Sequence, residues 1–343
     1  MTDINNLVRE NVRKLKPYSC ARDEFKGSTG IFLDANENPY GKLNRYPDPW
    51  QKDLKKAISR FRGIPVKNIF LGNGSDEIID LCFRVFCQPG TDKALTFSPT
   101  YGMYEVSASV NDVELIKVPL NQSFQIDIQK VTPLLSERNL KLIFICSPNN
   151  PTGNSMNIAD IEFILSGCNS IVVIDEAYID FSDKPSFRDM INKYPNLIVM
   201  QTFSKAFGLA SVRVGVAFAN KDIIQYFNKI KPPYNISANN QKLAYRKILR
   251  ADKMDRQIKK ILTEKNKLVS ELSEIGLTEH VYPSDANFLL VKVKDADKVY
   301  SELIKMKIIT RNRNTVVKDC IRITVGKQSE NRKLLHALKT ISL

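Results

Sequence analysis

Only two histidines, His280 and His336, occur in the 343 residues, too few for most zinc sites or for a serine-histidine-aspartate triad. The six cysteines, Cys20, Cys82, Cys87, Cys146, Cys168 and Cys320, include no C-x-x-C pair. Four of them sit within apolar stretches, so they read as reduced core residues, and no metal is expected. No apolar run approaches the ~18 residues that a spanning helix needs. The N-terminus, Met1-Thr2-Asp3-Ile4, has neither the apolar region of a signal peptide nor the acid-poor composition of a transit peptide, so the expected compartment is the cytoplasm. A basic block is missing too. Lys+Arg 51 against Asp+Glu 37 gives a net charge of +14, but the bases are interleaved with acids, as in Lys52-Asp53-Leu54-Lys55-Lys56. That is the pattern of solvated helix faces rather than of a nucleic-acid arm, and neither a nucleic acid nor a membrane is expected as partner.

What is present is a long alternation. With 43% apolar residues the chain can bury a sizeable core, and its length allows two or three domains. From 93 to 220, strand-like runs at Ala94–Phe97, Glu114–Val118, Leu140–Cys146, Ser170–Ile174, Leu197–Met200 and Val212–Ala219 alternate with helical ones. This predicts an α/β fold with a mostly parallel sheet covered on both faces. Residues 1–30 read as an arm joining a smaller domain, 31–231 as the large domain opening on a short strand at Ile31, and 232–343 as the small α+β domain. The proline-rich hinge Lys231-Pro232-Pro233-Tyr234 marks the last boundary. The small domain is expected to hold a helical region over 238–274, strands at Asn287–Val293, Ile308–Arg311 and Cys320–Val325, and a final helix from Glu330.

In such sheets ligands sit beyond the carboxyl ends of the strands, and the polar motifs fall there. The run Leu197–Met200 delivers Thr202, Ser204 and Lys205, with Arg213 shortly after. A lysine at a strand end among small and aromatic residues can be partly desolvated, which lowers its pKa and makes its amine a nucleophile toward an aldehyde. Ser204 and Arg213 suit a phosphate. Gly72-Asn73-Gly74-Ser75-Asp76 reads as strand end, glycine turn and helix start, a place where free amides bind anions. Glu77 stands where a dinucleotide fingerprint has its third glycine. Tyr101, Asn150, Asp175 and Tyr178 follow the other runs. Taken singly, Tyr101, Asn150 and Asp175 each have an ordinary alternative: a rim aromatic, a turn, a helix cap. Their coincidence with Lys205 points to one site. A buried acid at a strand end requires a cation, and a protonated pyridine nitrogen is one. Asn150 and Tyr178 suit a phenolate oxygen, and Tyr101 can stack on a ring.

The pattern Ser204-Lys205-Ala206-Phe207-Gly208 through Arg213 and Gly215, with Asn150-Pro151-Thr152-Gly153 and Asp175-Glu176-Ala177-Tyr178, resembles the fold-type I pyridoxal 5′-phosphate (PLP) aminotransferases. Leu33-Asp34-Ala35-Asn36-Glu37-Asn38-Pro39 and Arg45-Tyr46-Pro47-Asp48-Pro49 resemble the histidinol-phosphate aminotransferases more narrowly. The resemblance implies PLP carried on Lys205 and cradled by Gly74, Ser75, Asp76, Thr202, Ser204 and Arg213. It implies a homodimer in which Tyr46 reaches the neighbouring cofactor phosphate. It also implies a small phosphorylated substrate, with glutamate as amino donor. Cys320-Ile321-Arg322-Ile323-Thr324 resembles the segment whose arginine binds the substrate's anion. Arg322 alternates with two isoleucines, so on a strand it takes the face opposite theirs. Ile308-Ile309-Thr310-Arg311 supplies a second arginine, Arg313 lies close by, and Tyr18 and Asn36 are further candidates for the substrate phosphate. Alternatives are an aromatic-amino-acid aminotransferase or phospho-amino-acid decarboxylase on the same scaffold, or a non-catalytic basic binding protein.

Overall fold

The computed structural model describes residues 4–18 and 30–342. Seven strands form one sheet: β1 (Ile69–Gly72), β2 (Lys93–Ser98), β3 (Glu114–Pro119), β4 (Leu140–Cys146), β5 (Ile171–Asp175), β6 (Leu197–Thr202) and β7 (Gly215–Ala219). Their spatial order is β1-β7-β6-β5-β4-β2-β3. The β3-β2-β4-β5-β6 pairings are parallel, and β7 runs antiparallel to both its neighbours. The interior strands are apolar at nearly every position because both faces are covered. Alternate residues divide between two cores: Ile143, Ile145, Val172, Ile174, Val199 and Phe218 face one, and Phe144, Cys146, Val173, Ile198, Met200 and Ala217 face the other.

A second, antiparallel sheet holds β8 (Thr278–Val281), β9 (Phe288–Val293), β10 (Arg311–Asn312) and β11 (Cys320–Thr324) in the order β10-β11-β9-β8. Ile321 and Ile323 point into a third core with Leu289, Val291 and Leu335, so Arg322 takes the other face.

Four expectations are corrected. The arm does not join the small domain in its described part: Ile4, Leu7, Val8 and Val12 pack into the core beneath the Ser75–Phe86 helix, Arg9 N donates to Val85 O at 2.9 Å, and Tyr226 Oη donates to Asn5 at 2.6 Å. Residues 19–29 of the arm lie outside the described residues. Ile31–Leu33 is irregular rather than a strand, with both flanking side chains nearly fully exposed. The strand expected over Ile308–Arg311 shrinks to two residues, because only Arg311 and Asn312 find partners on β11. Finally, the passage into the small-domain core comes well after the proline hinge. Ala244, Ile248, Met254 and Ile258 still belong to a large-domain core, and Leu268 and Leu272 of the same Ala251–Ser273 helix belong to the small one. Among the described residues no helix is long and apolar enough to cross a membrane.

Candidate active site

Strands β2, β4, β5 and β6 end at one edge of the large sheet, and the segments that follow them wall a cavity of ≈ 410 Å³. Tyr101 follows β2, Asn150 follows β4, Asp175 ends β5 and precedes Tyr178, Thr202 ends β6, and Ser204 and Lys205 follow it. Ser75 and Asp76 enter from the first turn of the Ser75–Phe86 helix, and Arg213 from the turn before β7. From the small domain come Arg311, Arg313 and Arg322. Ten expected site residues are thus gathered by six segments of the large domain, and Arg311 and Arg322 by two strands of the small one.

Asp175 is 4% exposed. Its Oδ2 accepts from the Tyr104 hydroxyl at 2.8 Å and its Oδ1 from the Ala177 amide at 3.0 Å. Burial raises its pKa above the usual carboxylate range, and the Tyr104 bond works against that rise. Tyr104 was missed in the sequence: it lies on the Met103–Val110 helix, fully buried, with its ring stacked on Phe144 at 4.9 Å. The only signal was a second tyrosine three residues after Tyr101. The Lys205 side chain opens onto the cavity, its Nζ 5.4 Å from the centre of the Tyr178 ring. Partial burial, then Arg322 and Arg213, hold its amine below the ordinary lysine range, with Asp175 opposing. Asn150 is buried and its Oδ1 accepts a short bond from Arg322 Nη1. Tyr178 is buried edge-on against Phe288, and that burial raises its phenol pKa. Tyr101 donates to Asp76 at 3.2 Å.

At the other end, Arg213 stands 3.3 Å from Asp76 and 3.5 Å from Ser204 Oγ. Its backbone is left-handed at φ 52°, a strained choice for arginine that points to a site constraint. Gly74 has φ 81°, and a Cβ there would fall 2.6 Å from Arg213 Nη2. A Cβ on Gly215 would meet Gly74 C and Ser75 N at 2.5 Å. The two glycines therefore leave open a cradle between helix start and arginine. Glu77 accepts from the Asn73 amide and from Asn235 Nδ2, so it braces the turn from behind.

Three expected residues are not brought in. Tyr18 and Asn36 are exposed and line no part of this cavity. Tyr46 is 49% exposed and stacks on Tyr234 at 4.4 Å, also outside it. Glu37 ties the two motif segments together, accepting from Tyr46 N at 2.6 Å and from Arg45 at 2.6 Å.

A family model described as aminotransferase class I and II matches residues 25–338. The chain belongs to that family. It is 52% identical to the histidinol-phosphate aminotransferase of Parabacteroides distasonis, with 100% of each chain covered. It is 49% identical to that of Cytophaga hutchinsonii, covering 98% of this chain and 99% of the relative. Among solved structures, the histidinol-phosphate aminotransferase of Clostridium acetobutylicum superimposes with a TM-score of 0.80 at 27% identity, covering 87% of this chain and 90% of that one. Class I and II aminotransferases work with PLP, and the residues present fit it. The glycine cradle with Ser75, Ser204 and Arg213 offers amides, hydroxyls and a guanidinium to a phosphate. Asp175 offers a buried carboxylate to a ring cation.

Proposed function

We propose that this aminotransferase exchanges an amino group between L-histidinol phosphate and 2-oxoglutarate, making histidinol phosphate from imidazole-acetol phosphate and glutamate in the biosynthetic direction. The observation that carries the substrate is the charge of the cavity. Lys205, Arg213, Arg311, Arg313 and Arg322 face only two carboxylates, Asp76 and Asp175, so five cations meet two anions. They form two groups. Arg213 keeps company with Ser204 and Asp76 on the large domain, and Arg311 and Arg322 come from the small sheet. One group serves the cofactor phosphate, and the other is left for an anionic substrate.

Bound PLP supplies an electron-accepting ring that acidifies the hydrogen on the substrate carbon bearing the amine. Asp175 keeps the ring nitrogen protonated, and Tyr104 orients that carboxylate. Asn150 and Tyr178 would hold the cofactor's phenolate oxygen, and Tyr101 would pack on its ring. Lys205 carries the cofactor between turnovers. With the cofactor bound, Lys205 Nζ would take the proton from the substrate carbon and give it back, as general base and acid, a task suited to an amine whose pKa is lowered by burial. Arg322 and Arg311 hold the substrate's anionic group. The enzyme acts as a homodimer, with Tyr46 projecting into the cavity of a second copy. In support, the segment carrying Tyr46 exposes Ile31, Leu33, Tyr40 and Leu43.

The test is a donor panel against 2-oxoglutarate. Histidinol phosphate should exceed histidinol and phenylalanine in kcat/KM by roughly tenfold to a hundredfold or more, the worth of one or two charge-assisted hydrogen bonds. Phenylalanine or tyrosine outperforming it would establish an aromatic aminotransferase instead, and carbon dioxide release from a phospho-amino acid a decarboxylase.

A further inference from the structure

Strands β10 and β11 pair with Arg311 opposite Arg322. Arg313, two residues on, continues the same face, its amide donating to Cys320 O at 2.9 Å, so antiparallel register turns three guanidinium groups toward one cavity. Like charges on neighbouring strands are destabilising. Among the described residues, no carboxylate forms a salt bridge with any of the three. The two carboxylates in the cavity are engaged elsewhere, Asp76 by Arg213 and Asp175 by Tyr104. Arg322 finds the neutral Asn150 oxygen. Arg313 finds less: it is half-buried, and its Nε is fully shielded from solvent with no hydrogen-bond partner. Burial, then Arg322, then Arg311 bring its guanidinium down to about 10. A shielded donor with no acceptor, beside two other cations, is costly unless a ligand supplies the acceptor.

We propose that Arg313 is a third anion-binding residue of the substrate pole and makes it select a phosphate dianion over a carboxylate. The proposal rests on the phosphorylated substrate argued above and names a residue that sets preference within it. A phosphate monoester presents three terminal oxygens and nearly two charges, enough to engage three guanidinium forks. A carboxylate has two oxygens and one charge, which Arg322 and Arg311 already satisfy. The enzyme must take both a phosphate substrate and glutamate, and the third arginine is what the two use differently.

The holoenzyme and its Arg313→Gln variant should be compared in two measurements. In the first, kcat/KM for histidinol phosphate should drop roughly tenfold to a hundredfold, and the drop for glutamate should be smaller by at least about fivefold. Equal losses on both, or no loss, overturn the proposal. In the second, inorganic phosphate should raise the melting temperature of the parent holoenzyme, whose cofactor already fills the other phosphate cradle. That rise should be largely lost in the variant, while its phosphate-free melting temperature is equal or higher because a repulsion has been removed. No rise in the parent, or an undiminished rise in the variant, also overturns it. If phenylalanine proves the better donor, the substrate reading fails and the melting measurement alone decides Arg313. Should Arg313→Gln fail to accumulate, Arg313→Lys keeps stem and charge but loses the fork, and an intact phosphate preference there overturns the proposal.

Discussion

Replacing Gly215 with alanine would set a methyl carbon 2.5 Å from Gly74 C and Ser75 N and 2.6 Å from Gly74 O. These are backbone atoms and cannot rotate aside. Ordinary contact needs ~3.5 Å, so β7 and the glycine turn must part by about 1 Å. Overpacking of this kind costs about 1–3 kcal/mol of stability, which lowers the melting temperature by a few degrees in a chain of this size. The larger effect falls on the cradle. A turn moved by about 1 Å loses one charge-assisted bond to the cofactor phosphate, worth ~1.5–3 kcal/mol, so the Kd for PLP should rise roughly tenfold to a hundredfold. Titration of the apo-protein with PLP, followed by absorbance, gives the Kd, and thermal melting gives the stability. Gly276→Ala is the control, since nothing lies within 4 Å of a Cβ there. If Gly215→Ala binds PLP as tightly as the parent, the phosphate is not held by this turn, and the reason given for the glycine is wrong.

Tyr104→Phe removes the hydroxyl that donates to Asp175 and leaves the ring packed on Phe144. It should lower kcat about tenfold with little change in melting temperature, and shift the pH titration of the cofactor absorbance; an unchanged titration would reduce Tyr104 to core packing. Lys205→Ala should retain PLP without a borohydride-fixable bond and lose turnover. In the parent, the neutral amine needed for capture grows as pH rises through a pKa lowered by burial and by Arg322. The rate of PLP capture by apo-protein should therefore reach half-maximum below the ordinary lysine pKa, and a half-point at that ordinary value would count against the lowering. Lys205→Ala and Tyr46→Phe proteins, unfolded together and refolded, should regain activity through hybrids with one unimpaired site; no recovery, or a monomer in sedimentation, would remove the shared site.

The large domain was legible because its parallel strands are buried on both faces, so residues 142–146 and Leu197–Met200 read as unbroken apolar runs bounded by polar turns. Polar residues that follow those runs offered Lys205, Asp175, Asn150 and Arg213 as candidates, and the fold brings the four to one cavity. What failed was everything that depends on a distant partner. Ile31–Leu33 is a short apolar run, but among the described residues no strand lies beside it, and an apolar run without a neighbour makes no sheet. The apolar spacing of Ile4–Val12 showed that the arm would pack, and nothing local said against which core. Prolines at 232 and 233 stop the helix Lys221–Ile230, and the chain passes from one large-domain core to the other rather than into the small one. Tyr104 acts through a hydroxyl 71 positions away from its carboxylate, a relation that only the fold creates.

The two walls of the cavity belong to different cores, and the bonds that join them determine whether the site holds its shape. The Ala251–Ser273 helix crosses from one core to the other, and Lys265, between Ile258 and Leu268, is buried and donates to the carbonyls of Ser284 and Ala286. That loop in turn grips the segment after β4. Asp285 N donates to Gly153 O at 2.8 Å, Ser155 N donates to Asp285 at 3.0 Å, and a Cβ on Gly153 would collide with Ser284 Oγ at 2.6 Å. Three residues before Gly153 stands Asn150, bonded to Arg322. The cofactor wall and the arginine wall therefore meet twice within six residues, once through backbone and once through the side chains that face the ligand. An anion pulling on Arg322 is felt directly at Asn150, the group proposed above to serve the cofactor's oxygen. In that proposed arrangement, binding of the substrate's charged end and alignment of its reacting end are mechanically one event, a route by which remote binding energy is spent on the reacting centre.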